Sequence, residues 1–368
     1  MRDKRLVIFV ASVAAAAVAV GGFLAATRGP QADAGTAAPL GAASTSSAPK
    51  RVPASTVKID PTALKPGAGP RVTYLRARTV LGGTGPPVKV PGTAEIIAVG
   101  RLRETVLTIQ MGSNQTSSLV VLDASGKQIR QLAAVDSLVT SADGQAIAYA
   151  SGGRFTPSGR SGAGGAVYYQ RSMTEPAAKL AWPNAYELEV LAVVDRTVYF
   201  RSGATSEPWH LYQWKVGSPK PTLLSKVVSP TIVSRDGTLA AGLPVFNDSG
   251  MCTAVTPLPA GTQRWRTCQY KVTRFSPGKV FAAAVPPDFP LYGEPLTVAL
   301  DLSTGNRLRE WTGPSLRDST AEDDDHLLLQ WHDKNEPTSR SALVRCTVST
   351  GACELATPLA AGPLVIGS

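Results

Sequence analysis

The chain has 368 residues, with 37 Lys and Arg against 27 Asp and Glu, 34 Gly, 29 Pro and four Cys. A hydrophobic share of 43% supports a sizeable core and excludes wholesale disorder. Charged residues at 17% are too sparse for a long helical or coiled-coil protein, and the Gly and Pro content predicts many turns between short strands.

Arg2, Lys4 and Arg5 precede Leu6–Ala26, 21 residues without a charge. That run is long enough to cross a hydrocarbon core of about 30 Å as a helix. The basic excess before it keeps the N-terminus in the cytoplasm and sends the rest of the chain outside. Two readings stand: an uncleaved single-pass anchor, or a secretory signal cleaved near Ala34, at the small-residue site Ala32-Asp33-Ala34. Both leave the bulk of the protein extracytoplasmic. Thr27–Pro70, rich in Ala, Ser, Thr, Gly and Pro, has little apolar surface to offset the entropy of ordering and reads as a disordered tether. The domain expectation is therefore tip and helix at 1–26, tether at 27–70 and folded part at 71–368.

The folded part repeats. A small or polar residue, an Asp-Gly turn and an apolar run recur at Ser141-Ala-Asp-Gly144, Ser234-Arg-Asp-Gly237 and, as Ser276-Pro-Gly278, a third time. Weaker copies start at Arg103, Asp195 and Asp325. The turn markers at 103, 143, 195, 236, 277 and 325 are 40, 52, 41, 41 and 48 residues apart. The 52 contains a Gly and Ser insertion, Ser151–Gly165. A second phrase follows, as in Leu119–Gly126, Leu296–Gly305 and Leu343–Gly351: a strand, an Asp- or Ser-led turn ending in Gly, and another strand. Two hairpins per unit of about 40 to 45 residues make a four-stranded blade, and blades repeated radially make a β-propeller. The count is seven, with six or eight as alternatives. Pro70–Pro91 is only half a unit, and Pro363–Ser368 is placed to add its missing strand and close the ring.

These Ser-x-Asp-Gly phrases resemble the repeats of bacterial TolB-type propellers, related broadly to WD-repeat domains, over about residues 70–368. The resemblance implies the fold. No copy carries Gly-His or Trp-Asp dipeptides, and no partner-binding residue carries over. Fold alone does not fix function.

Cys252 with Cys268 and Cys346 with Cys353 are each symmetric about a predicted turn, which sets the members of each couple opposite one another on adjacent strands. Two disulfides follow, and they agree with an oxidising compartment. Neither spacing is that of a metal site, and no cofactor or metal is expected.

The connections between second and third strands are the long ones, and in a propeller they share a face with the links between blades. A decorated face on a rigid scaffold is a binding surface. The candidate residues there are Arg154, Phe155 and Arg160; Trp209 and His210; Asp288, Phe289, Tyr292 and Glu294; and His332, Asp333, Lys334 and Glu336. Catalytic patterns are weak. Gly159-Arg-Ser-Gly-Ala163 misses the nucleophile elbow at its last position, His326 and His332 are a poor ligand pair, and Glu322-Asp-Asp-Asp325 is an acidic turn. Trp182, Trp265 and Trp311 fall near blade ends, where packing between blades is expected. Residues 1–70 hold 8 basic and 3 acidic side chains, which leaves 29 against 24 on the folded part and removes the case for nucleic acid.

The leading expectation is a monomeric, membrane-tethered extracytoplasmic propeller that binds an envelope protein, peptide or glycan. The alternatives are a propeller hydrolase or lyase acting on a polymer or lactone, and a sensor ectodomain.

Overall fold

The computed structural model describes residues 55–368 apart from 113–115, 153–154, 157–158, 161–163, 184–186, 204–207, 248–249, 260, 288–293, 335–338 and 368. All regular structure in the described residues is strand. No helix among them is long and apolar enough to cross a membrane. The charge-free run Leu6–Ala26 and the Ala32–Ala34 site lie outside the described residues.

Five antiparallel sheets have four strands each and one sheet has nine. In chain order the four-stranded sheets run from Glu95–Leu102 to Gln128–Ala133, from Val135–Thr140 to Ala178–Trp182, from Glu187–Val194 to Thr222–Val228, and from Pro230–Val233 to Trp265–Thr267. The fifth joins the two ends of the fold: Leu364–Ile366 pairs antiparallel with Tyr74–Arg76, followed by Thr79–Leu81 and Val88–Lys89. The nine-stranded sheet is continuous because the 15-residue strand Arg307–Ala321 serves twice. Its first half pairs with Glu294–Asp301 and its second half with His326–His332. This is the β-propeller arrangement, with four-stranded sheets set side by side and the first strand of each innermost.

The buried clusters lie between neighbouring sheets. Val167 and Leu180 meet Val190, Phe200 and Trp214; Ala241 and Val255 meet Phe275, Ala282 and Val298. Trp182 and Trp265 act at such seams, with their indole N–H groups donating to Ser202 Oγ at 2.9 Å and to the Leu302 carbonyl at 2.8 Å in the following sheet. Trp311 is fully buried among Phe281, Leu327 and Val344.

The recurring turn is self-contained. Ser141 Oγ donates to Asp143 Oδ1 at 2.5 Å and accepts from the amides of Gln145 and Ala146 at 3.1 and 2.9 Å. Ser234 repeats this with Asp236, Thr238 and Leu239. Gly144 and Gly237 take φ of 66° and 70°, where a side chain is disfavoured. The turns also fasten to one another. Arg103 Nε donates to Gln145 Oε1, Tyr199 OH to the Gly237 carbonyl, Lys279 Nζ to Asp236, and the Gly278 amide to Asp324. The sequence repeat therefore encodes both the turn and the latch between neighbours.

Residues 55–70, assigned by composition to the tether, are partly engaged. Ser55–Lys58 pairs parallel with Arg309–Thr312, and Ile59 is buried in the cluster around Trp311. Ile59, with Val57 packed beside it, supplies the apolar side chains that seat this segment on the cluster. Both expected disulfides are present, Cys252–Cys268 and Cys346–Cys353; the first ties the strand Gly250–Pro257 to the residue just past Trp265–Thr267, and the second joins adjacent strands of one sheet. Cys346 and Cys353 are direct cross-strand partners.

Candidate functional site

The first strands of successive sheets neighbour one another, from Leu364–Ile366 through Glu95–Leu102 and onward to the second half of Arg307–Ala321, which returns to Leu364–Ile366. They enclose a cavity of about 550 Å³. Six of these strands are bulged where they pair with the second strand of their sheet. The supernumerary residues are Ile97, Asp136, Leu191, Thr231, Thr273 and the Arg317-Asp318 pair. All but Thr273 line the cavity. A bulge re-aims a side chain and increases local twist, so this belt is a product of the strand irregularities.

The cavity carries six charged side chains: Asp136, Glu189, Arg235, Arg274, Arg317 and Asp318. The carboxylates are committed. Asp136 accepts from Ser117 Oγ at 2.8 Å and from the Gly152 amide at 2.9 Å. Glu189 Oε2 pairs with Arg201, 2.7 Å from Nε and 2.5 Å from Nη2. Asp318 lies 3.8 Å from Arg274 Nη2. Arg201 extends this network outward: its guanidinium carbon stands 4.1 Å from the centroid of Trp209, and its Nη1 donates to the Pro230 carbonyl of the next sheet. Trp209, directly before the strand His210–Lys215, is thus coupled through Arg201 to Glu189 of the cavity.

The structure separates the other sequence candidates. Phe155 and Arg160 are backbone partners in a small two-stranded hairpin within the Ser151–Gly165 insertion, and Glu294 begins a strand. His210 begins the strand that continues from Trp209. Asp333 accepts from the Arg340 amide at 2.9 Å and from Arg340 Nε at 3.0 Å, closing the base of its loop, and Lys334 is exposed. His332, expected on the loop face, is instead buried at 5% exposure. Gln330 Nε2 donates to its Nε2 at 3.0 Å, so Nδ1 carries the proton that goes to Ser339 Oγ at 2.9 Å. Burial, reinforced by the charges of Arg317 and Arg76, pushes the His332 pKa down to about 4. Between the second and third strands of the fourth sheet the chain stays extended, the strand Leu239–Asn247 running out to Asn247. Arg154, Asp288, Phe289, Tyr292 and Glu336 lie outside the described residues.

The acidic turn is structural. Glu322 takes Arg345, Asp323 caps the Asp325 and His326 amides, Asp324 takes the Gly278 amide, and Asp325 takes Ser349. His326 and His332 stand at opposite ends of one strand, His326 bound to Asp323. No group of three or more metal-ligating side chains occurs among the described residues.

Sequence reasoning missed Asp136, Glu189, Arg235, Arg274 and Arg317. One signal was present. The second position of the Ser-x-Asp-Gly phrase, Ala142 in one copy and Arg235 in another, lines the cavity both times.

No family model and no curated protein matches this chain. Among solved structures, prolyl oligopeptidase B from Galerina marginata is similar, with TM-score 0.50 at 11% identity over 74% of this chain and 43% of that one. The β-propeller domain of the Trilobed protease from Pyrococcus furiosus gives 0.46 at 9% identity, covering 73% of this chain and 99% of that domain. TolB from Acinetobacter baumannii gives 0.42 at 12% identity, covering 80% and 64%. At such identities the likeness concerns the fold alone, an all-β propeller, and the chain spans less than half of the prolyl oligopeptidase.

Proposed function

We propose that the protein is a seven-bladed propeller of TolB type, held outside the membrane by Leu6–Ala26, that works by binding an envelope protein, peptide or glycan. The observation that carries this reading is the Trp209–Arg201–Glu189 network, which joins an aromatic expected on the loop face to the wall of a polar cavity of about 550 Å³. A cavity of that size suits a small ligand or the end of a larger one. Its carboxylates are bound to their own partners, which favours recognition over proton transfer. The blade count rests on the pairing of Leu364–Ile366 with the incomplete N-terminal unit and on the double use of Arg307–Ala321. The disulfides agree with an extracytoplasmic site.

The test is photo-cross-linking in intact cells with the full-length chain. A photoreactive residue replaces Lys334 on the loop face or Arg266 on an outer strand. A discrete adduct from Lys334 and none from Arg266 is expected. Equal adducts from both, or none from Lys334, would count against the loop face.

A further inference from the structure

We infer that the glycine-rich connection Gly82–Gly85, with the buried Arg101 beneath it, forms a binding site for a phosphate group. The site is separate from the cavity and from the long connections, and it does not depend on the loop face binding a partner.

Leu81 ends the third strand of the sheet that joins the chain ends, and Val88 begins its fourth. In an antiparallel sheet this connection lies at the opposite end from the one between second and third strands. It holds three glycines in four residues, Gly82-Gly83-Thr84-Gly85, followed by two prolines. A Cβ on Gly83 would stand 2.6 Å from Thr73 Oγ1 and 3.3 Å from Arg101 Cδ, and one on Gly85 would collide with Arg101 Nη1. The bare backbone of the connection therefore lies directly against the Arg101 side chain.

Arg101 comes from the neighbouring sheet, one residue before the end of the strand Glu95–Leu102, and is 5% exposed. Its Nη2 donates to the Pro86 carbonyl at 2.7 Å and to the Val80 carbonyl at 3.4 Å. Nε and Nη1 are buried and donate to no described group. Burial pushes the Arg101 pKa below the ordinary arginine value, and no carboxylate opposes it. The local sequence supplies none: Pro61–Ala94 contains Lys65, Arg71, Arg76, Arg78 and Lys89 and no Asp or Glu. The carboxylates that reach this sheet, Glu322 and Asp323, are taken by Arg345, Arg71 and His326.

A guanidinium group keeps its charge, and a buried charge without a counter-charge is strongly unfavourable. Water can accept from Nε or Nη1 but brings no negative charge; an anion meets both needs. Thr73 Oγ1 and the amides of Thr84 and Gly85 make no hydrogen bond with any described residue. Guanidinium, hydroxyl and the amides of a glycine-rich turn are donors suited to phosphate oxygens. Gly85 covers Nη1, so the anion takes its place by lifting a residue that neither a side chain nor a hydrogen bond holds down.

Thermal unfolding of the full-length chain in a neutral detergent, with ionic strength held constant by potassium gluconate, tests the site. Inorganic phosphate and glycerol 3-phosphate are titrated separately. A saturable rise in melting temperature is expected with at least one, about 2 °C at about ten times the dissociation constant. The stronger of the two distinguishes a free ion from an ester. The rise should be absent in Arg101→Met and unchanged in the outer-strand control Arg266→Gln. Gly85→Ala keeps Arg101 but sets a methyl group against Nη1, and should also lose the rise, so the comparison stands if Arg101→Met does not fold. No saturable rise with either anion, a full rise in Arg101→Met or Gly85→Ala, or equal loss in Arg266→Gln overturns the proposal. Cross-linking from Lys334 reports on the loop face alone, so the two experiments can fail separately.

Discussion

Arg345 holds Glu322 with two guanidinium nitrogens, Nε at 2.5 Å from Oε2 and Nη2 at 3.1 Å from Oε1, both side chains being buried. Arg345 Nη1 reaches Glu354 Oε1 at 2.6 Å and the Ala68 carbonyl at 2.8 Å, and Nη2 reaches the Gly69 carbonyl at 3.1 Å. The clamp therefore ties the last sheet to the segment that enters the first. Hydrogen bonds donated to Glu322, opposing the cost of burial, raise the Arg345 pKa.

Removing Arg345 takes both guanidinium bonds from the buried Glu322 carboxylate and leaves it to Arg71 alone. Arg345→Met is expected to destabilise the fold by about 3 to 5 kcal/mol in urea unfolding. Adding Glu322→Leu should recover part of that loss, because the buried carboxylate goes with it. A double variant as unstable as the single one would refute the assignment.

The Cys252–Cys268 bond closes a loop with a sequence separation of 16, and Cys346–Cys353 one of 7. In the chain-entropy view the longer loop contributes about 3 kcal/mol, and the shorter one less. Paired Cys252→Ala and Cys268→Ala should therefore lower the melting temperature more than the pair at 346 and 353. Equal effects would contradict the ordering.

His332 gives the fold a defined pH dependence. Its folded pKa of about 4 lies below the ordinary value of 6.5, so between these values the unfolded chain binds the extra proton. Its contribution is full above pH 6.5, falls as the pH drops toward 4, and changes no further below that. The span is about 3 kcal/mol. Urea unfolding between pH 7 and pH 4 should show this slope, and His332→Gln should flatten it by that amount. A variant with the wild-type slope would exclude His332 as the source.

Leu364–Ile366 supplies the innermost strand of the sheet that joins the chain ends, and Leu364 and Ile366 are buried against Leu328 and Leu343. Deleting residues 363–368 exposes the edge Tyr74–Arg76 and removes one cavity wall. Lower thermal stability and concentration-dependent aggregation are expected by light scattering. A monomeric deletion variant with the wild-type melting temperature would argue against this closure.

The legible part of the molecule was local. Ser141, Ser234 and Ser276 announced turns that their own side chains complete, and the placement of Cys252, Cys268, Cys346 and Cys353 about predicted turns announced strand neighbours. Pro70–Pro91 and Pro363–Ser368 announced each other as an incomplete unit and a spare strand. The loop-face candidates were legible only as long connections, and the structure withdrew His332 from them by burying it under Ser339 and Gln330.

By itself the sequence determined an all-β chain of four-stranded units, its turn chemistry, its disulfide partners and the charge-free run before it. These depend on residues close in the chain or on a period of about forty. Only the tertiary structure decided the cavity and its charge. A one-residue bulge turns Asp136, Leu191 or Arg317 inward without leaving a mark in composition or alternation, and Arg235 and Arg274 line one cavity only because their sheets stand side by side. The same holds for Glu322-Asp-Asp-Asp325, whose four carboxylates resemble a solvated turn until Arg345, Gly278 and Ser349 arrive from elsewhere in the chain.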